Sequence, residues 1–120
     1  MKVIIADDSR VMRQIVLRTL RQAGLGHHDF VEAEDGVDAL AKIASESPDL
    51  VLSDWNMPNM TGIELLRELR AGGNQVPFAF VTSEGSDDMR QLAEAAGAMF
   101  VIAKPFTADT FQDALGRVLV

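Results

Sequence analysis

Asp49-Leu50-Val51-Leu52-Ser53-Asp54-Trp55-Asn56-Met57-Pro58-Asn59-Met60-Thr61-Gly62 forms the middle of the chain. Its first residues are a short apolar run bounded by Pro48, which reads as a strand buried on both faces. A carboxylate falls where that strand ends, with an amide two residues on and a proline closing the turn. Alone, the grouping reads as a polar loop, because Asp and Asn are common turn residues. Thr61 and Glu64 then have the Ser/Thr-x-x-Glu spacing of a capping box, so a helix starts at Thr61 and carries Leu65, Leu66 and Leu69 to Gly72-Gly73.

The same strand–turn–helix unit recurs on both sides. Val3-Ile4-Ile5-Ala6 is an apolar strand followed by Asp7-Asp8-Ser9 and a helix with Met12, Ile15, Val16, Thr19, Leu20 and Ala23 on one side, stopped by Gly24 and Gly26. Phe30-Val31-Glu32-Ala33 is a shorter strand, and Glu34-Asp35-Gly36 turns into a helix carrying Val37, Leu40, Ala41 and Ile43. Downstream, Pro77 to Val81 is a strand ending at Thr82-Ser83; Ser86 caps a helix with Met89, Leu92, Ala93 and Ala96 on its core face. Met99 to Ala103 is the fifth strand, Lys104-Pro105-Phe106 a turn, and Thr107 caps a last helix striped by Phe111, Ala114, Leu115 and Val118. Five strands alternating with five helices through short connections predict an α/β fold. The sheet is doubly wound and parallel, with right-handed crossovers and helices on both faces.

Composition narrows the function. With 120 residues, 48% of them hydrophobic, the chain suits one domain spanning 1–120 with a real core. It has no cysteine, so neither a disulfide framework nor a thiolate metal site is available, in keeping with a cytoplasmic location. No segment reads as a signal peptide or a membrane span. A net charge of −7 argues against nucleic acid as a direct partner, since phosphate backbones repel such a surface.

In a parallel α/β sheet every strand's C-terminal end lies on one edge, where such folds bind ligands. That edge receives Asp7 and Asp8 from the first strand, Asp54 and Asn56 from the third, Thr82 and Ser83 from the fourth and Lys104 from the fifth. Singly, each has an ordinary reading. Asp7 and Asp8 suit a helix start as well as a metal, Thr82 and Ser83 suit a turn, and Lys104 suits a solvated surface. As a set on matching strand ends they point to a site. Three convergent carboxylates repel one another unless a cation sits among them. A hard divalent ion with oxygen ligands resolves the repulsion, and Mg²⁺, which needs few protein oxygens, fits best.

Asp7-Asp8, Asp54 within Ser53 to Gly62, Thr82-Ser83 and Lys104-Pro105-Phe106, matched in order across nearly the whole chain, resemble the receiver domains of two-component response regulators. Glu32 to Leu40 is similar to the CheY-like chemotaxis branch. The resemblance implies the strand order 2-1-3-4-5, of which CheY is itself a standard example among doubly wound folds. It also implies that Asp54 takes a phosphoryl group from a histidine kinase or a small phosphodonor. Asp8 and Asp54 would ligate Mg²⁺ with the Asn56 backbone carbonyl, and Asp7 through water. Lys104 and Thr82 would contact phosphoryl oxygens, while Asn56 and Glu84 would modulate hydrolysis. A module of this kind catalyses only its own phosphorylation and dephosphorylation and is otherwise no enzyme. Its output is binding to a downstream protein such as a flagellar switch, with phosphate sink, or receiver cut from a larger regulator, as alternatives. The last helix has one basic residue, Arg117, which favours a monomer.

The chain departs from that pattern at Val101, where receivers place a switch aromatic; Phe100 beside it points to the opposite face. Thr61 replaces the usual Asp and caps as well. The resemblance implies a cis peptide at Lys104–Pro105. His27-His28 reads as a solvated loop, and Trp55 as packing or a fluorescent reporter of metal binding. Two rivals share the architecture. An aspartate-nucleophile phosphatase needs an acid where Asn56 stands, and a flavodoxin-type FMN carrier needs a phosphate loop where Asp7-Asp8 would repel phosphate.

Overall fold

The computed structural model describes residues 1–83 and 85–119. The elements follow the order β1 (Lys2–Ala6), α1 (Arg10–Gln22), β2 (Asp29–Ala33), α2 (Gly36–Glu46), β3 (Leu50–Ser53), α3 (Gly62–Ala71), β4 (Phe78–Thr82), α4 (Asp87–Ala95), β5 (Val101–Ala103) and α5 (Ala108–Leu115). All strand pairs are parallel and the sheet order is β2-β1-β3-β4-β5. β1 and β3 are therefore central, which explains their unbroken apolar runs.

Alternate residues of each strand feed two cores. Ile4, Val51, Phe78, Phe80 and Val101 pack with Ala39 and Ile43 of α2, Leu65, Leu66 and Leu69 of α3 and Ala93 of α4. Val3, Ile5, Leu50, Leu52, Val81 and Ile102 pack with Val16 and Leu20 of α1 and Phe111 and Leu115 of α5. Val101 belongs to the first core and Phe100 to the second, as strand alternation requires.

Helix starts follow their capping residues. Ser9, Asp35, Thr61, Ser86 and Thr107 each accept a backbone N–H from three residues on, and Thr61 with Glu64 closes the capping box. The Lys104–Pro105 peptide is cis.

Several apolar positions lie elsewhere than periodicity predicts. α2 buries Gly36, Ala39 and Ile43 and packs Leu40 against the first core, leaving Val37 and Ala41 exposed. Leu92 of α4 is 47% exposed, since Ala93 takes the core position. β5 is shorter than predicted, and Met99 lies outside it and exposed. Val118 lies past the end of α5. His28 is buried rather than solvated. Its Nε2 lies 3.3 Å from the Leu119 carbonyl and its Nδ1 3.2 Å from the Met1 amino nitrogen, where the β2 entrance folds beneath β1.

Candidate functional site

The sheet ladder itself delivers the acidic residues to one edge. Asp7 N–H donates to the Ala33 carbonyl (3.0 Å), Asp54 N–H to Ala6 (2.8 Å) and Lys104 N–H to Thr82 (2.8 Å), so each residue just past a strand end is still held by the neighbouring strand. Asp7, Asp8 and Asp54 can each direct one carboxylate oxygen to within 4.8 Å of the others. Asp7 is buried, Asp54 half-buried and Asp8 exposed, an order running from the sheet outward.

Local bonds aim the carboxylates. Asp7 Oδ1 accepts the Ser9 N–H at 2.9 Å, which leaves Oδ2 facing Lys104 Nζ at 3.2 Å. Asp54 Oδ1 accepts the Trp55 N–H at 2.8 Å and lies 3.7 Å from the same ammonium. Burial pushes the Asp54 carboxyl above its ordinary value of 3.8; Lys104 opposes that shift, and the charges of Asp7 and then Asp8 add to it. One ammonium thus faces three gathered carboxylates.

Thr82, fully buried, ends β4 next to Ala103, and Ser83 is exposed beside it. Asn56 is exposed in the turn after Asp54. Glu84, read from the sequence as its partner in modulating hydrolysis, lies outside the described residues. Beneath the turn, the Trp55 and Phe80 rings lie 4.7 Å apart and Phe78 extends the group, so Trp55 is packed core within one residue of Asp54.

Three contributors went unread in the sequence. Arg13 donates from Nη1 to the Asp7 carbonyl (2.7 Å) and from Nε to Glu32 (2.9 Å), tying α1 to the loop that presents the acids. Its signal was available: it shares the 13, 16, 20 stripe with buried Val16 and Leu20, an unusual place for an arginine. Gly62 lies so close to Asp54 that an added Cβ would collide with the Asp54 carbonyl oxygen, a contact no hydropathy pattern encodes. Arg90 joins the carbonyls of Gly85 (3.2 Å) and Val101 (3.1 Å) and so bridges the β4–α4 loop to β5.

The donor set suits a hard cation. It is all carboxylate oxygen, converges on one point, and stands at an open edge where waters would complete the coordination of a hard ion. No helix is long and apolar enough to cross a membrane among the described residues.

Fold and site define a doubly wound α/β module with an acidic pocket that could hold a cation at the carboxyl edge of its sheet. The chain belongs to the response regulator receiver domain family, whose profile matches residues 3–116. It is 39% identical over 120 residues to chemotaxis protein CheY of Pseudomonas aeruginosa, covering 98% of this chain and 95% of that protein. It is 38% identical to chemotaxis protein CheY1 of Helicobacter pylori, covering 99% and 97%. Among solved structures, chemotaxis protein CheY4 of Vibrio cholerae superposes with a TM-score of 0.84 at 38% identity, covering 98% of each chain. The receiver domain of the Francisella response regulator 1452 gives 0.86 at 27%, covering 98% and 95%. The chain is therefore a two-component phosphoacceptor, a signalling protein rather than a classical enzyme.

Proposed function

We propose that Asp54 is the phosphoacceptor of a chemotaxis-type pathway and that the transfer is Mg²⁺-dependent. One observation carries the reading: the Asp54 carboxylate shares its pocket with two further carboxylates and one lysine, at the end of a central strand. Asp7, Asp8, Asp54 and the Asn56 carbonyl would hold the cation, whose chemistry is to neutralise charge on the transferring phosphoryl group. The remaining work falls to this chain. The Asp54 carboxylate attacks the phosphorus of a histidine kinase's phosphohistidine; the P–N bond breaks as the acyl phosphate forms. Lys104 turns from Asp7 to a phosphoryl oxygen, and the Thr82 hydroxyl donates to another. The added charge then reorganises the loop after β4 and alters binding to a downstream protein such as a flagellar switch. The module acts in the cytoplasm as a monomer, residues 1–120 forming one receiver, and catalyses only its own phosphorylation and dephosphorylation.

The test is phosphorylation by acetyl phosphate with Mg²⁺, comparing the wild type with Asp54→Asn. Label on the wild type and none on the variant is expected; equal labelling of both overturns the assignment. Pull-down of a flagellar switch protein, with and without a phosphoryl analogue bound, separates motor control from a phosphate sink.

A further inference from the structure

α3 and α4 cover the same face of the sheet, and their C-terminal halves lie toward the edge opposite the acidic pocket, because each helix runs antiparallel to its strands. Between them is a groove of about 320 Å³ lined by Arg67 and Arg70 on one side and Leu92, Ala95 and Ala96 on the other. Its floor is apolar, with Leu92 47% exposed and two alanines too small to fill the space beside it. Its charged wall is wholly cationic, with no carboxylate among the lining residues.

Neither arginine has a carboxylate within 4.0 Å among the described residues. Arg70 is held in place by neutral acceptors, donating to the carbonyls of Asn74 (2.9 Å) and Gly97 (3.0 Å). Gly97 makes that seat available: at φ +101° it turns the chain, and a Cβ there would stand 2.9 Å from Arg70 Nε. Burial pushes the Arg70 guanidinium's pKa down, the mark of a cation partly removed from water. A clip joining the end of α3 to the turn after α4 accounts for Arg70. It accounts neither for Arg67, which has no hydrogen bond or ion pair among the described residues, nor for Leu92. In a chain of net charge −7, the two arginines give this groove a cationic wall facing an apolar one.

We propose that the α3–α4 groove docks an acidic segment of a partner protein, with an aliphatic side chain laid on Leu92, Ala95 and Ala96 and carboxylates on Arg67 and Arg70. Guanidinium suits the carboxylate, which it takes up in paired, parallel N–H···O bonds. One groove of this size buries little area, so the contact is weak and reversible by itself. It needs neither Asp54 nor a cation, and failure of phosphotransfer would leave it standing.

The probe is a fluorescein-labelled amphipathic peptide with leucines at i, i+3 and i+7 and glutamates elsewhere. Two controls carry glutamine or lysine in place of glutamate. Titration of the full chain, read by anisotropy and by amide shifts, is expected to give a Kd of about 1 mM or tighter for the glutamate peptide. Binding should weaken about tenfold for glutamine and vanish for lysine. Shifts should centre on residues 67, 70, 92, 95 and 96. Arg67→Glu and Leu92→Ser, both at exposed positions, should each lower affinity about tenfold with the thermal midpoint unchanged. No binding at about 1 mM, equal binding of all three peptides, shifts centred elsewhere, or unaltered affinity in both variants overturns the proposal.

Discussion

Lys104 Nζ lies 3.7 Å from Oδ1 of Asp54 and no other cation lies within 4.0 Å of that carboxylate among the described residues. The same ammonium is closer to Asp7, at 3.2 Å, so the resting position of Lys104 favours the deeper acid. On the proposed reading, Lys104 would shift from Asp7 toward a phosphoryl group on Asp54. Both contacts are largely shielded, which keeps their Coulomb energy from being screened away.

Lys104→Met should accordingly destabilise the cation-free protein by about 2 kcal/mol, because it leaves the carboxylates without a counter-charge. It should also tighten Mg²⁺ binding severalfold, since one competing positive charge is gone, and abolish rapid phosphotransfer. Denaturant unfolding with EDTA and with Mg²⁺ checks the first two effects. An unchanged stability in EDTA would show that Lys104 is not the compensating charge.

The ladder that gathers these residues was legible in the sequence because it follows from short continuous apolar runs and from the rule that parallel strands end together. Asp7, Asp54 and Lys104 each fall one residue past a predicted strand, and backbone bonds to Ala33, Ala6 and Thr82 hold them there. Helix phase was less legible. Val37 and Leu92 have the hydropathy of core residues, yet Ala39 and Ala93 occupy the core, since packing space under α2 and α4 selects small side chains over large ones. Arg13 was signalled by its place on the buried stripe of α1, whereas Gly62 and Arg90 act through close approaches of chain segments that hydropathy patterns do not contain. His28 looked solvated for the same reason: what buries it comes from both ends of the chain.

Asp35 caps α2 and also accepts from the Asn59 side chain at 2.8 Å, joining the helix to the turn that follows Asp54. The Asp38 N–H, then the Asn59 amide, hold its carboxyl below the ordinary 3.8. A depressed carboxyl stabilises the fold above its unfolded value and loses that contribution as pH falls through its lower folded value. Asp35→Ala should therefore cost about 1 kcal/mol at neutral pH. Its difference from the wild type should shrink as pH falls below 3.8. Unfolding measured from about pH 7 to about pH 3 tests this, and a difference that stays constant across the range would count against it.

Gly62 is required for close approach rather than for unusual dihedral angles. A Cβ there would collide with the Asp54 carbonyl oxygen and meet Phe80 Cε1 at 2.8 Å, and Gly62 N–H itself bonds to the Trp55 carbonyl. Gly62→Ala should cost about 3 kcal/mol, the upper end of overpacking, because backbone stands in the way. The same push displaces the turn carrying Asp54, so Mg²⁺ affinity and Trp55 fluorescence should change together. A variant with wild-type stability and emission would place the strain elsewhere.

Val101 leaves the sheet without the aromatic that receivers usually place on this strand, and Arg90 spans the gap from the other side. Its guanidinium ties the Gly85 carbonyl, in the loop following Thr82, to the Val101 carbonyl on β5. The outcome expected of phosphorylation at Asp54 is that movement of this loop stretches one of these bonds and so reaches β5 through the Arg90 side chain rather than through a rotating ring. Arg90→Met keeps the aliphatic stem and removes both bonds. The expected global cost is about 1 kcal/mol, the ordinary net worth of a hydrogen bond. The larger effect should be local: amide exchange at residues 85–89 should quicken, while Mg²⁺ affinity at Asp7, Asp8 and Asp54 stays at the wild-type value. Phosphorylation should then alter the exchange of β5 in the wild type and much less in the variant. Equal coupling in both proteins would rule out Arg90 as the link.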